Sequence, residues 1–136
     1  VVEALEHNRG LNPAAAARVK ASALDWLDPM SADALVERHA STGIDIVLGA
    51  DIVWVHELIA PMVRTMRRLC QPRRTVVYFA YQSRSSRGDE VLFGALKEAG
   101  FVWEKLPPQE LHAEYRSEKV AVYTMQLGGV AARGEL

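Results

Sequence analysis

Residues 44 to 50 read Ile-Asp-Ile-Val-Leu-Gly-Ala, a β-branched and almost wholly apolar run, and an acid, Asp51, follows at once. Such a run is how a strand buried on both faces of a parallel sheet reads. What comes next narrows the choice. Leu58, Ile59, Met62, Val63, Met66, Leu69 and Cys70 recur at helical spacing, while Arg64, Arg67 and Arg68 lie largely on the other side. Pro72 ends that helix, and Thr75 to Ala80 form a second apolar, β-branched strand. Strand, helix and strand in that order call for a parallel pair with a right-handed crossover.

The same alternation extends both ways. Val1 to Arg9 reads as a short helix stopped by Gly10, and Leu11-Asn12-Pro13 as a turn. Arg18 to Leu24 alternates in polarity and is expected to be a strand ending at Asp25-Trp26, broken by Asp28-Pro29. Ser31 is placed to cap a helix over Ala32 to Ala40, with Gly43 closing that region. Beyond the second apolar strand, Gln82 to Gly88 is a polar loop, Asp89 to Ala99 a helix, and Phe101 to Leu106 a strand. Pro107 and Pro108 open a loop, and Val120 to Met125 form the last strand. Two strands in succession without a helix between them imply an antiparallel pair closing an otherwise parallel sheet. The tail from Gly128 is expected to be frayed. Helices are expected on the faces of the sheet, as in α/β folds generally.

Composition excludes several classes of function. Sixteen basic and 17 acidic residues leave a net charge of −1, which gives no electrostatic case for a nucleic acid or an anionic membrane. The single cysteine, Cys70, rules out an internal disulfide framework and a cysteine-based zinc site, and reads as a small buried hydrophobe. It fits a reducing cytoplasmic or nuclear setting. His7, His39, His56 and His112 are scattered without metal-ligand spacing. No apolar run approaches the roughly 20 residues that span a bilayer.

In open α/β sheets, ligands bind outside the carboxyl ends of the strands. Those ends here are Asp25-Trp26, Ala50-Asp51 and Ala80-Tyr81. Asp51 is the sharpest candidate, because a charge at the end of a buried strand must be hydrogen-bonded or functional. Capping the next helix is the other role open to it. Trp54, three residues on, either walls a pocket for a cation or packs the helix start onto the sheet. Trp26 either faces a flat ligand ring or packs in the core, and Asp25 either accepts a ligand hydrogen bond or caps the next turn. Ser83-Arg84-Ser85-Ser86-Arg87 reads as a solvated loop whose arginines can reach an acidic partner.

Three stretches carry a family resemblance. Leu48-Gly49-Ala50-Asp51-Ile52-Val53-Trp54 resembles the Asp/Glu-x-x-Tyr/Phe motif after the fourth strand of the seven-strand protein-lysine methyltransferases of family 16. Glu114-Tyr115-Arg116-Ser117 is similar to the stretch leading into their last strand, and Asn8-x-x-Leu11-Asn12 precedes Leu24-Asp25-Trp26 in matching order. The group includes enzymes acting on the valosin-containing AAA ATPase, heat-shock chaperones and translation elongation factors. The resemblance implies a Rossmann-like class I methyltransferase sheet with an antiparallel C-terminal strand over residues 1–127, S-adenosyl-L-methionine as cofactor and a protein partner. It places Asp25, Trp26 and Ala50 at the cofactor, Asp51 and Trp54 at the mouth that admits a lysine, and Tyr81, Tyr115 and Arg116 on the substrate side. Trp54 departs from the usual Tyr or Phe, keeping the aromatic face and losing the phenolic hydroxyl. The Gly-rich motif after strand one and the acid ending strand two do not occur here, so these residues are expected to be the C-terminal part of a larger domain with strands one and two missing. In that family the strands order as 3-2-1-4-5-7-6, which leaves strand three without a neighbour and strand four with an open edge. Two other readings stand beside this one. The first is a small-molecule or nucleic-acid methyltransferase, against which Ile52-Val53 stands where base methylators carry two prolines. The second is a non-catalytic interaction module.

Overall fold

The structure, a computed structural model, describes residues 1–128. Its centre is a four-stranded sheet built from β1 (Ile46–Ala50), β2 (Val76–Tyr81), β3 (Phe101–Lys105) and β4 (Ala121–Leu127). The spatial order is β1-β2-β4-β3. β1 and β2 are parallel, with Ile46 opposite Val76 and Ala50 opposite Ala80. β4 runs antiparallel to both neighbours, pairing Tyr81 with Ala121 and Phe101 with Leu127. The carboxyl ends of β1, β2 and β3 therefore lie at one end of the sheet. The segment joining β3 to β4 lies at that end too, with the Leu106 amide bonded to the Val122 carbonyl at 2.8 Å.

Two helices, α4 (His56–Leu69) and α5 (Ser86–Glu98), connect the strands and pack on each other and on one face of the sheet. They lie on the same side because each follows its strand by a crossover in the same direction along the sheet. Ile59, Met62, Val63 and Met66 of α4 meet Leu92 and Leu96 of α5 and Val77, Phe79, Met125 and Leu127 of the sheet in one core. Helix α3 (Pro29–Arg38) packs on α4, burying Ala32 and setting Asp33 against Arg68. Ahead of it are α1 (Val2–Gly10) and a single turn, α2 (Pro13–Ala16), which contact each other. Gly43 turns the chain into β1 at φ 68°, where a β-carbon would fall 2.6 Å from the Arg74 guanidinium. Only glycine fits that site without displacing the arginine, which bonds Thr42 and Asp45.

Several expectations are corrected. Residues 19–25 form no strand. A strand requires a hydrogen-bonding neighbour, and here the segment's bonds go elsewhere: the Ala21 amide donates to Glu6, and Ser22 receives Arg38. β1 is not buried on both faces. Its exposure alternates, with Leu48 78% exposed and Ile46 58%, because α4 and α5 cover only the Val47 and Gly49 side. For the same reason helices cover one face of the sheet rather than both, and Tyr78 and Val102 are exposed beside Leu48. Asp28-Pro29 starts a helix instead of only breaking a strand: Asp28 caps α3 by accepting from the Met30 amide at 3.0 Å, with Pro29 at the first position. Ser31 is not the cap; its hydroxyl accepts from the Asp25 amide. Ser85 caps α5 by accepting from the Gly88 amide, so that helix begins three residues before Asp89 and takes up part of the serine-arginine loop. Cys70 is buried at the end of α4, and burial pushes its thiol up to about 11. The expected frayed tail, apart from Gly128, lies outside the described residues.

Candidate functional site

The carboxyl ends of β1 and β2 are adjacent in register, and the chain leaves them in two loops that meet. At the end of β1, Asp51 takes φ 50°, in the left-handed region. Its amide donates to the Ala80 carbonyl at 3.3 Å, which ties the turn to β2. This conformation carries the Asp51 carboxylate out of the sheet, leaving the side chain 72% exposed. The cap of α4 is Val55, with no side-chain cap bond, so Asp51 is free of the capping role that the sequence left open. Its partner is Arg84, whose Nη2 donates to Oδ1 at 2.7 Å across 33 residues of sequence. Trp54 follows three residues later and is 68% exposed, while Val53 between them is buried in the core. The tryptophan is thus presented to solvent rather than used to seat the helix.

From β2, Tyr81 turns inward. Its hydroxyl donates to Asp89 Oδ1 at 2.7 Å, and Ser83 donates to Oδ2 at 2.7 Å. Burial, and then the hydrogen bond to Asp89, push the Tyr81 phenol up to about 12. The same bond, with that from Ser83, holds the Asp89 carboxyl below its ordinary value. The triad anchors the start of α5, and with it the Arg84 loop, to the end of β2. Gly88 lets α5 approach α4, since a β-carbon there would stand 3.2 Å from His56 Nε2.

The other candidates are distributed around this end of the sheet. Ala50 is exposed at the last position of β1. Trp26 is half-buried against the core and lies between two cavities. One, of about 550 Å³, is lined by Val1, Leu5, Leu24, Leu27 and Leu58 with it; the other, of about 280 Å³, by Pro29, Ala32 and Thr65. The Asp25 carboxylate closes a local turn by accepting from the Leu27 amide at 2.8 Å. Tyr115 and Arg116 stand in the β3–β4 loop, at the same sheet end as Asp51. Tyr115 is exposed and stacks on His112 at 4.9 Å, and Arg116 lines a cavity of about 570 Å³ with Lys105, Leu111, Glu118 and Val122. Neither hydrogen-bonds Asp51. The structure therefore joins Asp51 to Arg84 directly and leaves Tyr81 facing α5. Sequence reasoning did not single out Arg84 or Asp89 as site residues; the only signal was two arginines in a loop following a strand end.

Residues 1–99 match the family model described as lysine methyltransferase, a stretch that holds α1 through α5 and both Asp51 and Arg84. The chain belongs to that family. It is 33% identical over 98 residues to the protein-lysine N-methyltransferase EEF2KMT of Mus musculus, a match covering 70% of this chain and 28% of that protein. It is 31% identical over 124 residues to the EEF1A lysine methyltransferase 3 of the same species, covering 89% of this chain and 45% of that protein. The chain spans less than half the length of either relative. Within the sheet, the order β1-β2-β4-β3 equals the 4-5-7-6 half of the strand order that the resemblance implies.

Proposed function

We propose that this chain forms the substrate-facing part of an S-adenosyl-L-methionine-dependent protein-lysine methyltransferase, with Asp51 receiving the target lysine. The observation that carries this reading is the Asp51 carboxylate. It is exposed at the carboxyl end of a parallel strand, held out by a left-handed turn, with an exposed tryptophan three residues away. Family membership and the two relatives support lysine transfer over small-molecule or nucleic-acid transfer. By analogy with the relative named for EEF1A, an elongation factor is the first substrate to try; cytoplasm is the compartment this implies.

Residues 1–127 belong, in this reading, to one Rossmann-like domain whose remaining strands pair with the open edge of β1. The edge position of β1 and the unpaired segment 19–25 support it, since an open strand edge ordinarily has a partner. The cofactor fit is partial. Trp26 beside an apolar cavity, and the exposed end of β1 at Ala50, suit one wall of an adenosyl cleft. Asp25 caps its own turn through Oδ1, which leaves the second carboxylate oxygen to accept a hydrogen bond from the cofactor. The cofactor supplies a methyl group activated on a sulfonium.

The residues of this chain bind and orient the amine. Lysine arrives as an ammonium and must be neutral to react. The ammonium proton is released to bulk solvent before transfer, and Asp51 then aligns the neutral nitrogen by accepting one of its N–H bonds. Trp54 offers a ring face to the cation and screens one side from solvent. Tyr115 and Arg116, on the loop at the same sheet end, extend the surface toward the substrate protein.

The test is Asp51→Ala and Asp51→Asn in the full-length protein, with labelled cofactor and purified elongation factor or a cell lysate. Transfer to protein is expected to fall about 100-fold or more with unchanged circular dichroism. Label appearing in RNA, or undiminished protein labelling by both variants, would overturn the assignment.

A further inference from the structure

If Asp51 receives the target lysine, its carboxylate is not vacant before the lysine arrives. Arg84 already occupies it, Nη2 to Oδ1 at 2.7 Å. A guanidinium brings a carboxylate the same single positive charge as a lysine ammonium and, like it, N–H donors, though in a planar fork rather than on a rotating head. Both side chains are largely exposed, 56% and 72%, so the pair is in water and weak. The two residues reach the pair from different directions. Asp51 is fixed by its backbone turn and its amide bond to β2. Arg84 stands on the exposed link between Ser83 and the Ser85 cap, whose own anchors are the hydroxyls on either side of it. The arginine can therefore leave without disturbing β1, β2 or α5, whereas the Asp51 backbone stays tied to the sheet and keeps the carboxylate at this strand end.

We infer that Arg84 is a displaceable counter-ion, a built-in competitor that holds Asp51 until a substrate lysine replaces it. This rests on the reading of Asp51 above. It makes Arg84 a specificity-determining residue: an amine enters only if its other contacts outweigh the resident guanidinium. Free lysine or a stray exposed lysine competes poorly, while a lysine presented by a docked protein succeeds. A rigid positioning role for Arg84 makes the opposite prediction, because loss of the arginine would then misalign the carboxylate.

The experiment compares wild type, Arg84→Gln and Arg84→Lys in the full-length protein. With purified elongation factor as substrate, Arg84→Gln is expected to lower KM about two- to fivefold, the range that up to ~1 kcal/mol of competing ion pair represents, with kcat unchanged. Arg84→Lys is expected to stay near wild type. An independent readout needs no turnover. Titration of n-butylammonium chloride, followed at the Asp51 carboxyl carbon by NMR, should give a lower Kd in Arg84→Gln than in wild type by the same factor. A fall in kcat with unchanged KM, or equal butylammonium affinity in the two proteins, overturns the inference. Failure of the Asp51 reading is separately visible: Asp51→Asn would then transfer methyl at the wild-type rate, and butylammonium would leave the Asp51 signal unmoved in every variant.

Discussion

At Asp51 the backbone sits at φ 50°, a region costly for most residues and tolerated by Asp and Asn, whose short polar side chains bond locally. Asp51→Asn should therefore keep the stability of the protein within a few tenths of a kcal/mol. Asp51→Val should lose about 1–2 kcal/mol, read by urea denaturation. The Tyr81–Asp89 bond makes a pH-dependent prediction. Tyr81's phenol is raised in the fold to about 12, so as pH climbs past about 10 the unfolded chain loses this proton first. Stability from this group is full below about 10 and is lost between about 10 and 12. Asp89 is shifted the other way; its contribution is present above the ordinary carboxylate range and is lost as pH falls through it. Tyr81→Phe should cost about 1 kcal/mol at neutral pH and reduce the alkaline fall, measured by denaturation at pH 7 and 10.5. None of this was visible from the residues alone. A tyrosine at a strand end and an aspartate eight positions on become partners only when β2 hands over to α5.

Helices and strands were recovered from the sequence wherever their apolar periodicity is answered by a neighbour. α4, α5, β2 and β3 lie where the spacing puts them, within a few residues at each end. The departures are at junctions. Pro29 reads as a breaker after an expected strand, yet with Asp28 as cap it begins α3, its missing N–H being one the first turn leaves unpaired anyway. Asp28→Ala should destabilise the protein by about 1 kcal/mol, measured by thermal or chemical unfolding, whereas Ser31→Ala leaves the cap intact. Residues 18–24 have the alternation of a strand and no strand to pair with. A two-residue period describes which faces a segment would present, but hydrogen bonds to a neighbour decide whether a sheet forms.

In the molecule as a whole, the asymmetry of the sheet is the dominant feature. One face is closed by α4 and α5 over Val77, Phe79 and Met125, which are essentially inaccessible to solvent. The other leaves Ile46, Leu48, Tyr78 and Val102 open. Truncating the closed face should be costly: Leu92→Ala should lose about 2–5 kcal/mol. Because an exposed apolar strand at a sheet edge is a template for further pairing, residues 1–136 are expected to associate as concentration rises in sedimentation velocity, and Leu48→Lys to suppress that association without loss of stability. Association undiminished by Leu48→Lys would show that another surface is responsible. The apolar content of residues 44 to 50 announced a strand covered on both sides, and in these 128 residues only one side is covered. By itself, then, the sequence determined the alternating α/β class and the ends of β1 and β2, because those depend on local periodicity. The tertiary structure alone decided that Asp51 faces solvent, that Arg84 is its partner, and that the sheet has a bare face. Those depend on which distant segments meet, and pairing across 33 residues leaves no trace in local spacing.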